Sequence, residues 1–108
     1  MKLLSRQEEM LLLAVWRLQH NAYGVKIRDL LKELTGSVWA FGAIFTMLDR
    51  LVKKELLTSY LTDPTPERGG RSKRIYQLTY EGKDALVEIN KIQKALWANI
   101  EGLGIEKS

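Results

Sequence analysis

Residues 41–57, FGAIFTMLDRLVKKELL, constrain the fold of this chain more than any other stretch, because they carry two unlike faces at one helical period. Ile44, Leu48 and Leu51 recur at i, i+4 and i+7, with Phe41, Phe45 and Val52 flanking them, so one side of a helix has to be buried. The opposite side carries Gly42, Ala43, Thr46, Asp49, Arg50 and Lys53. Its first residues are small and allow close approach to a surface, and its later ones include two cations, so this side suits contact with a polyanion. Residues 56–62 follow as a β-favouring run, and Asp63-Pro64-Thr65-Pro66 then forbids both helix and ladder. A second β-like run, Arg74-Ile75-Tyr76-Gln77-Leu78-Thr79, closes a long-tipped hairpin. Between Arg68 and Arg74 there are four basic side chains (Arg68, Arg71, Lys73, Arg74), two glycines and no acid.

The remaining segments read as helices. Ser5-Arg6-Gln7-Glu8 has the capping-box spacing that starts one. Residues 10–18 are apolar around most of the circumference, as in a helix packed between other elements, and Trp16 is a core or dimer contact on that reading. Asn21 and Gly24 mark a turn, after which Ile27, Leu30, Leu31 and Leu34 repeat at helical spacing until Gly36 supplies the stop. Residues 37–40 are too few to separate this helix from the next, which is the geometry of a helix-turn-helix. Thr79 can cap a last helix with Glu81 in its first turn, and Ala85, Leu86, Ile89, Ile92, Leu96, Ile100 and Leu103 then recur at steps of three and four. A helix of about 20 residues and roughly 30 Å is expected there. That stripe, with Trp97 beside it, exceeds what a small core can cover, and a second copy of the same helix is the simplest partner.

The chain of 108 residues is one domain by size, 45% apolar and 28% charged, with no uninterrupted run of about 18 apolar residues. Residues 3–18 are broken by Arg6, Glu8 and Glu9 and lead to no small-residue cleavage site, so a soluble, cytoplasmic protein without membrane association is expected. Without cysteine, and with His20 the only histidine, neither a disulfide framework nor a zinc site is expected, and no cofactor is. No nucleophile, base and orienting group stand together, and Arg68-Gly69-Gly70-Arg71 lacks the strand-to-helix setting of a phosphate-cradling loop. The net charge of +4 is mild, but its concentration at residues 68–74 points to binding rather than catalysis.

Over about residues 5–86 the sequence resembles the PadR-type transcriptional regulators. Tyr23-Gly24 with Ile27 and Leu30-Leu31 is similar to that family's second helix, and Gly42-Ala43-Ile44-Phe45 with Leu48, Arg50 and Leu51 to its third. Gly69-Gly70-Arg71, then Arg74-Ile75-Tyr76-Gln77-Leu78-Thr79, Gly82 and Leu86, resembles its wing strand and the entry to its dimer helix. The resemblance implies a homodimeric winged-helix repressor on a two-fold-related operator, with the third helix in the major groove and the wing on the backbone or in the minor groove. It also implies departures: Phe45 stands where a tyrosine is usual, Ala40 where a capping serine is common, and Glu55 where a glycine precedes the wing. The short tail is like that of the family's smaller members.

The expected architecture is therefore α+β, mainly helical, a winged helix-turn-helix of order α-α-α-β-β-α. Residues 1–80 would form the DNA-binding domain and residues 81–108 a long dimerisation helix, as one compact unit. Gly42, Ala43, Phe45, Thr46 and Arg50 are the candidates for DNA on the third helix, and Arg68, Gly69, Gly70, Arg71, Lys73 and Arg74 those on the wing. Phe41 is divided between core and base contact. Trp16, Leu86, Ile89, Ile92, Leu96, Trp97 and Ile100 are the dimer candidates, and Trp16 and Trp97 would offer walls to a small aromatic effector of the kind some family members bind. The alternative is a winged helix used for protein interaction, its basic tip merely solvated.

Overall fold

The computed structural model describes residues 3–63 and 72–103. Helix α1 (Arg6–Leu18) begins at the expected capping box: the Ser5 hydroxyl accepts from the Glu8 amide at 3.1 Å and the Glu8 carboxylate accepts from the Ser5 amide at 2.9 Å. A 3-10 turn (Gln19–Asn21) leads into α2 (Gly24–Thr35), which Gly36 ends in the left-handed region at φ 77°. Then come α3 (Phe41–Lys53), strands β1 (Leu57–Leu61) and β2 (Arg74–Leu78), and α4 (Tyr80–Trp97), which starts where the Thr79 hydroxyl accepts from the Gly82 amide at 3.0 Å. The strands pair antiparallel with Leu57 opposite Leu78 and Leu61 opposite Arg74. This is the expected element order.

The core forms where the apolar stripes converge. Leu11, Leu12 and Val15 of α1, Ile27 and Leu31 of α2, Ile44, Leu48 and Leu51 of α3, and Leu57 and Tyr76 of the hairpin make one buried cluster. The three α3 residues are fully excluded from water, so the buried face read from the sequence is the face that packs. The hairpin is tied to the helices by backbone bonds. Tyr76 N–H donates to the Ala22 carbonyl at 2.9 Å, which joins β2 to the segment entering α2. Thr79 N–H donates to the Leu56 carbonyl at 3.2 Å, and a Cβ on Gly82 would stand 2.2 Å from that same oxygen. Only glycine lets the first turn of α4 lie this close to the start of β1.

Lys54, at the end of α3, pairs with the Glu8 carboxylate on α1. Burial pushes the Glu8 carboxyl up, but the hydrogen bonds from Lys54 and the Ser5 amide, with the Lys54 charge, outweigh it and hold the group below its ordinary value.

One sequence expectation is corrected. Helix α4 stops at Trp97, because Ala98 is extended and Asn99 takes φ 59°, so Ile100 and Leu103 leave the helical stripe and residues 81–108 are not one helix. Apolar spacing carries no stop signal of its own, and Asn99 enters the left-handed region at small cost. Leu34, which continues the helical spacing of Ile27, Leu30 and Leu31, is 56% exposed and lines an open groove with Met10, Leu13 and Leu30. It sits at the end of α2, where α1 does not cover it.

Glu55 turns the chain from α3 into β1 at φ 65°, a left-handed position that a side chain disfavours. This is the physical reason a glycine would suit the position. Glu55→Gly is expected to stabilise the fold by about 0.5 to 1 kcal/mol, the relief of strain exceeding the added entropy of the unfolded chain. Urea denaturation of the two proteins measures it, and an equal or lower midpoint would be the contrary result.

Candidate nucleic-acid interface

The face of α3 opposite the core is open along its length: Gly42, Ala43, Thr46, Asp49, Arg50 and Lys53 are all exposed. A Cβ on Gly42 would meet nothing within 4 Å, so close backbone approach there is available to a partner rather than used inside the chain. Phe45 is 44% exposed and lies across the first turn of α2, its Cζ 2.7 Å from where a Cβ on Gly24 would be. Phe41 is 37% exposed, with ring centroid 6.2 Å from that of Phe45 and planes 20° apart. The Arg28 guanidinium of α2 sits over Phe41 at 4.2 Å. Phe41 is thus a border residue, partly packed and partly open.

The wing base meets the same region. Lys73 Nζ lies 4.1 Å from the centre of the Tyr23 ring, and Tyr23 is the N-cap of α2. Arg74 Nη1 donates to Ser59 Oγ at 3.0 Å across the exposed side of the hairpin. Asp49 and Arg74 also act on the Tyr76 phenol, which burial first and the Asp49 charge second push up, with Arg74 opposing, so the hydroxyl stays protonated at neutral pH. Arg68, Gly69, Gly70 and Arg71 lie outside the described residues.

Capping divides the four helices. The N-termini of α1 and α4 are closed by Ser5 and Thr79, whereas Tyr23 before α2 and Ala40 before α3 make no side-chain cap. Of these two, the start of α2 is covered, with Gly24 buried, whereas Ala40, Phe41, Gly42 and Ala43 at the start of α3 are exposed, so it is α3 whose positive dipole end offers a setting that favours phosphate.

The residues assigned to a dimer contact lie on α1 and α4, with Ile100 just beyond the end of α4. Trp16 is half exposed, with Lys83 Nζ 5.2 Å from its ring, and Leu86 and Ile92 are partly covered. Ile89 is buried against its own chain, while Leu96, at 69% exposure, Trp97 and Ile100 stand open. Leu13, Trp16, Leu86 and Val87 line a groove of about 490 Å³ between α1 and α4, with Glu9 at its edge. Glu9 is a buried carboxylate that accepts from Gln93 Nε2 at 3.0 Å and pairs with Arg6 Nη1 at 3.7 Å, an inter-helix role that a capping reading of this stretch does not supply. Arg28 was also missed by sequence reasoning. Its one signal is a cation placed between the core positions Ile27 and Leu31, which a helical wheel sets at the border of an apolar face. Among the described residues no cluster of metal-ligating side chains occurs, and no helix is long and apolar enough to cross a membrane.

A helix-turn-helix with an exposed α3 and a basic hairpin is the architecture of winged-helix DNA-binding proteins. The sequence profile described as "Transcriptional regulator PadR-like family" matches residues 12–88. The chain belongs to this family of transcriptional regulators, which are DNA-binding proteins and not enzymes. A PadR family transcription regulator from Clostridium difficile is 30% identical, with TM-score 0.61, over 81% of this chain and 88% of that one. A PadR-like transcription factor from Bacteroides fragilis is 28% identical, with TM-score 0.66, over 83% of this chain and 85% of its own. RosR of H. salinarum is 26% identical, with TM-score 0.71, over 90% and 80% of the two chains. No functionally curated protein matches the sequence.

The Phe45 ring tip lies over Gly24 at the uncapped start of α2, and the residue is 44% exposed. Phe45→Tyr is expected to leave the melting temperature nearly unchanged and to tighten DNA binding by roughly 0.5 to 1.5 kcal/mol, the usual net worth of one hydrogen bond. The gain should be equal on cognate and random duplexes, because phosphate contacts carry no sequence information. Titration of both duplexes distinguishes this from a base contact, which would tighten only the cognate one.

Proposed function

We propose that the protein is a homodimeric repressor in the cytoplasm that binds a palindromic operator, with α3 in the major groove and the wing on the backbone. The observation that carries this reading is the exposed outer face of α3, with Gly42, Ala43, Thr46, Arg50 and Lys53 open to solvent, beside a wing base whose Lys73 lies on Tyr23. In this arrangement Gly42, Ala43, Thr46 and Arg50 meet the groove, Phe45 its border, and Arg68, Gly69, Gly70, Arg71, Lys73 and Arg74 the phosphates. Residues 1–80 act as the DNA-binding part and the following helix as the dimerisation part. Repression is the reading that the family resemblance favours. The half-exposed Trp16 in the groove between α1 and α4 supports a second feature, a flat aromatic effector bound at the dimer contact.

The DNA contact is tested by salt dependence. Replacing Arg71 and Arg74 by Ala in both subunits is expected to flatten the plot of log affinity against log salt by up to about four units, with specificity changed less. An unchanged slope would remove these residues from the phosphates and favour the interaction-module reading.

Dimerisation is tested on the exposed end of the α4 stripe. Leu96 is open to solvent in the single chain, so Leu96→Asp should cost the monomer fold little, yet it would bury like charges across a two-fold axis. Sedimentation should show monomers at concentrations where the parent protein is dimeric. A variant that still sediments as a stable dimer would place the contact elsewhere.

A further inference from the structure

We infer that the start of α3 reads thymine through its C5 methyl group, with Phe41 as the contacting side chain and Arg28 as a positioning residue; this rests on the DNA-binding reading above. Residues 41–48 lack the groups that identify purines in the major groove. They are Phe, Gly, Ala, Ile, Phe, Thr, Met and Leu, with no charge and no side-chain amide. The bidentate pairs that identify guanine or adenine in the major groove need Arg, Lys, Asn or Gln, and the first of these on α3 is Arg50. The residues just before the helix, Ser37, Val38, Trp39 and Ala40, offer none either. Among residues 41–48, Thr46 supplies the only hydroxyl, and hydroxyls discriminate weakly between bases.

What this end of the helix does present is apolar and open. Phe41, Phe45 and the preceding Val38 are exposed, and Gly42 and Ala43 between them allow the helix to sit deep. The thymine methyl is the apolar feature of the major-groove edge, and aromatic or small apolar side chains are its usual partners. Exposed phenyl rings cost free energy in the unbound protein, so burial against a methyl is favourable on both sides. Phe41 is also held. Arg28 places its guanidinium 4.2 Å over the ring, and Arg28 Nε is buried with no hydrogen-bond partner among the described residues. That nitrogen is removed from water without a bond in return, so the side chain is committed to the ring face rather than extended toward a base. Phe45 lies beside the same ring in stacked orientation. Two neighbours thus set the direction in which the free part of Phe41 points.

The test places the change in the DNA. An operator is recovered by selection from a random duplex library, and each thymine is replaced singly by deoxyuridine, which removes only the methyl. At one or more thymines in each half-site, affinity should fall roughly threefold to fivefold, the usual effect of one buried methyl. The ratio of thymine to uracil affinity is then measured for Phe41→Ala, Phe41→Leu, Arg28→Met and Arg28→Lys, so that overall losses of affinity cancel. The ratio should fall toward one in Phe41→Ala and Arg28→Met, and be retained in part by Phe41→Leu and Arg28→Lys. If every uracil duplex binds as the parent does while the operator still outcompetes random DNA, the methyl reading is overturned and DNA recognition stands. A methyl penalty that persists undiminished in both Phe41 variants likewise overturns it. If no duplex is preferred over random DNA, the operator reading falls with it.

Discussion

The burial of Ile44, Leu48 and Leu51 is the constraint on which the rest of the molecule depends. These side chains have no access to water, and they sit where α1, α2 and the hairpin converge. Because side chains on a helix are locked to one another at 100° per residue, seating this face in the core aims Gly42, Ala43, Thr46 and Arg50 outward. The presentation of α3 is therefore a consequence of core packing. The hydrogen bond from Tyr76 to Ala22 and the close fit of Gly82 on Leu56 then place the hairpin and α4 relative to that core.

The electrostatic character of the outer face follows from where polar groups are already satisfied. Ser5, Glu8 and Thr79 close the N-termini of α1 and α4. Tyr23 and Ala40 leave those of α2 and α3 open, and Lys73 stands beside Tyr23. The uncapped, exposed start of α3 with Arg50 and Lys53 on its outer face favours an anionic ligand, whereas α1 and α4 carry the exposed Leu13, Trp16, Val87 and Leu96 and favour an apolar one. The two surfaces are chemically distinct.

Glu55, Ala40 and Phe45 have different physical weights. Glu55 is a matter of backbone strain, visible as a positive φ, and touches the fold more than the interface. Ala40 leaves α3 uncapped and so trades helix stability for free N–H groups. Phe45 keeps its ring on Gly24 and lacks only a hydroxyl, so it changes polarity at the border of the interface without changing its shape.

The sequence by itself determined the element order, the caps at Ser5 and Thr79, the stop at Gly36 and the core face of α3, because each is a local matter of periodicity, hydrogen bonding within a turn or allowed φ. It also displayed the basic run at residues 68–74 that carries much of the functional reading. Tertiary structure decided the rest. The stripe of α4 did not run on to Ile100, since spacing alone has no stop and the backbone at Ala98 and Asn99 supplied one. Leu34 was open and Glu9 closed, because burial depends on which neighbours cover a position and not on the residue placed there. Gly24 under Phe45, Arg28 over Phe41 and Lys73 over Tyr23 join residues far apart in the chain, and such contacts exist only once packing has set the distance between helices.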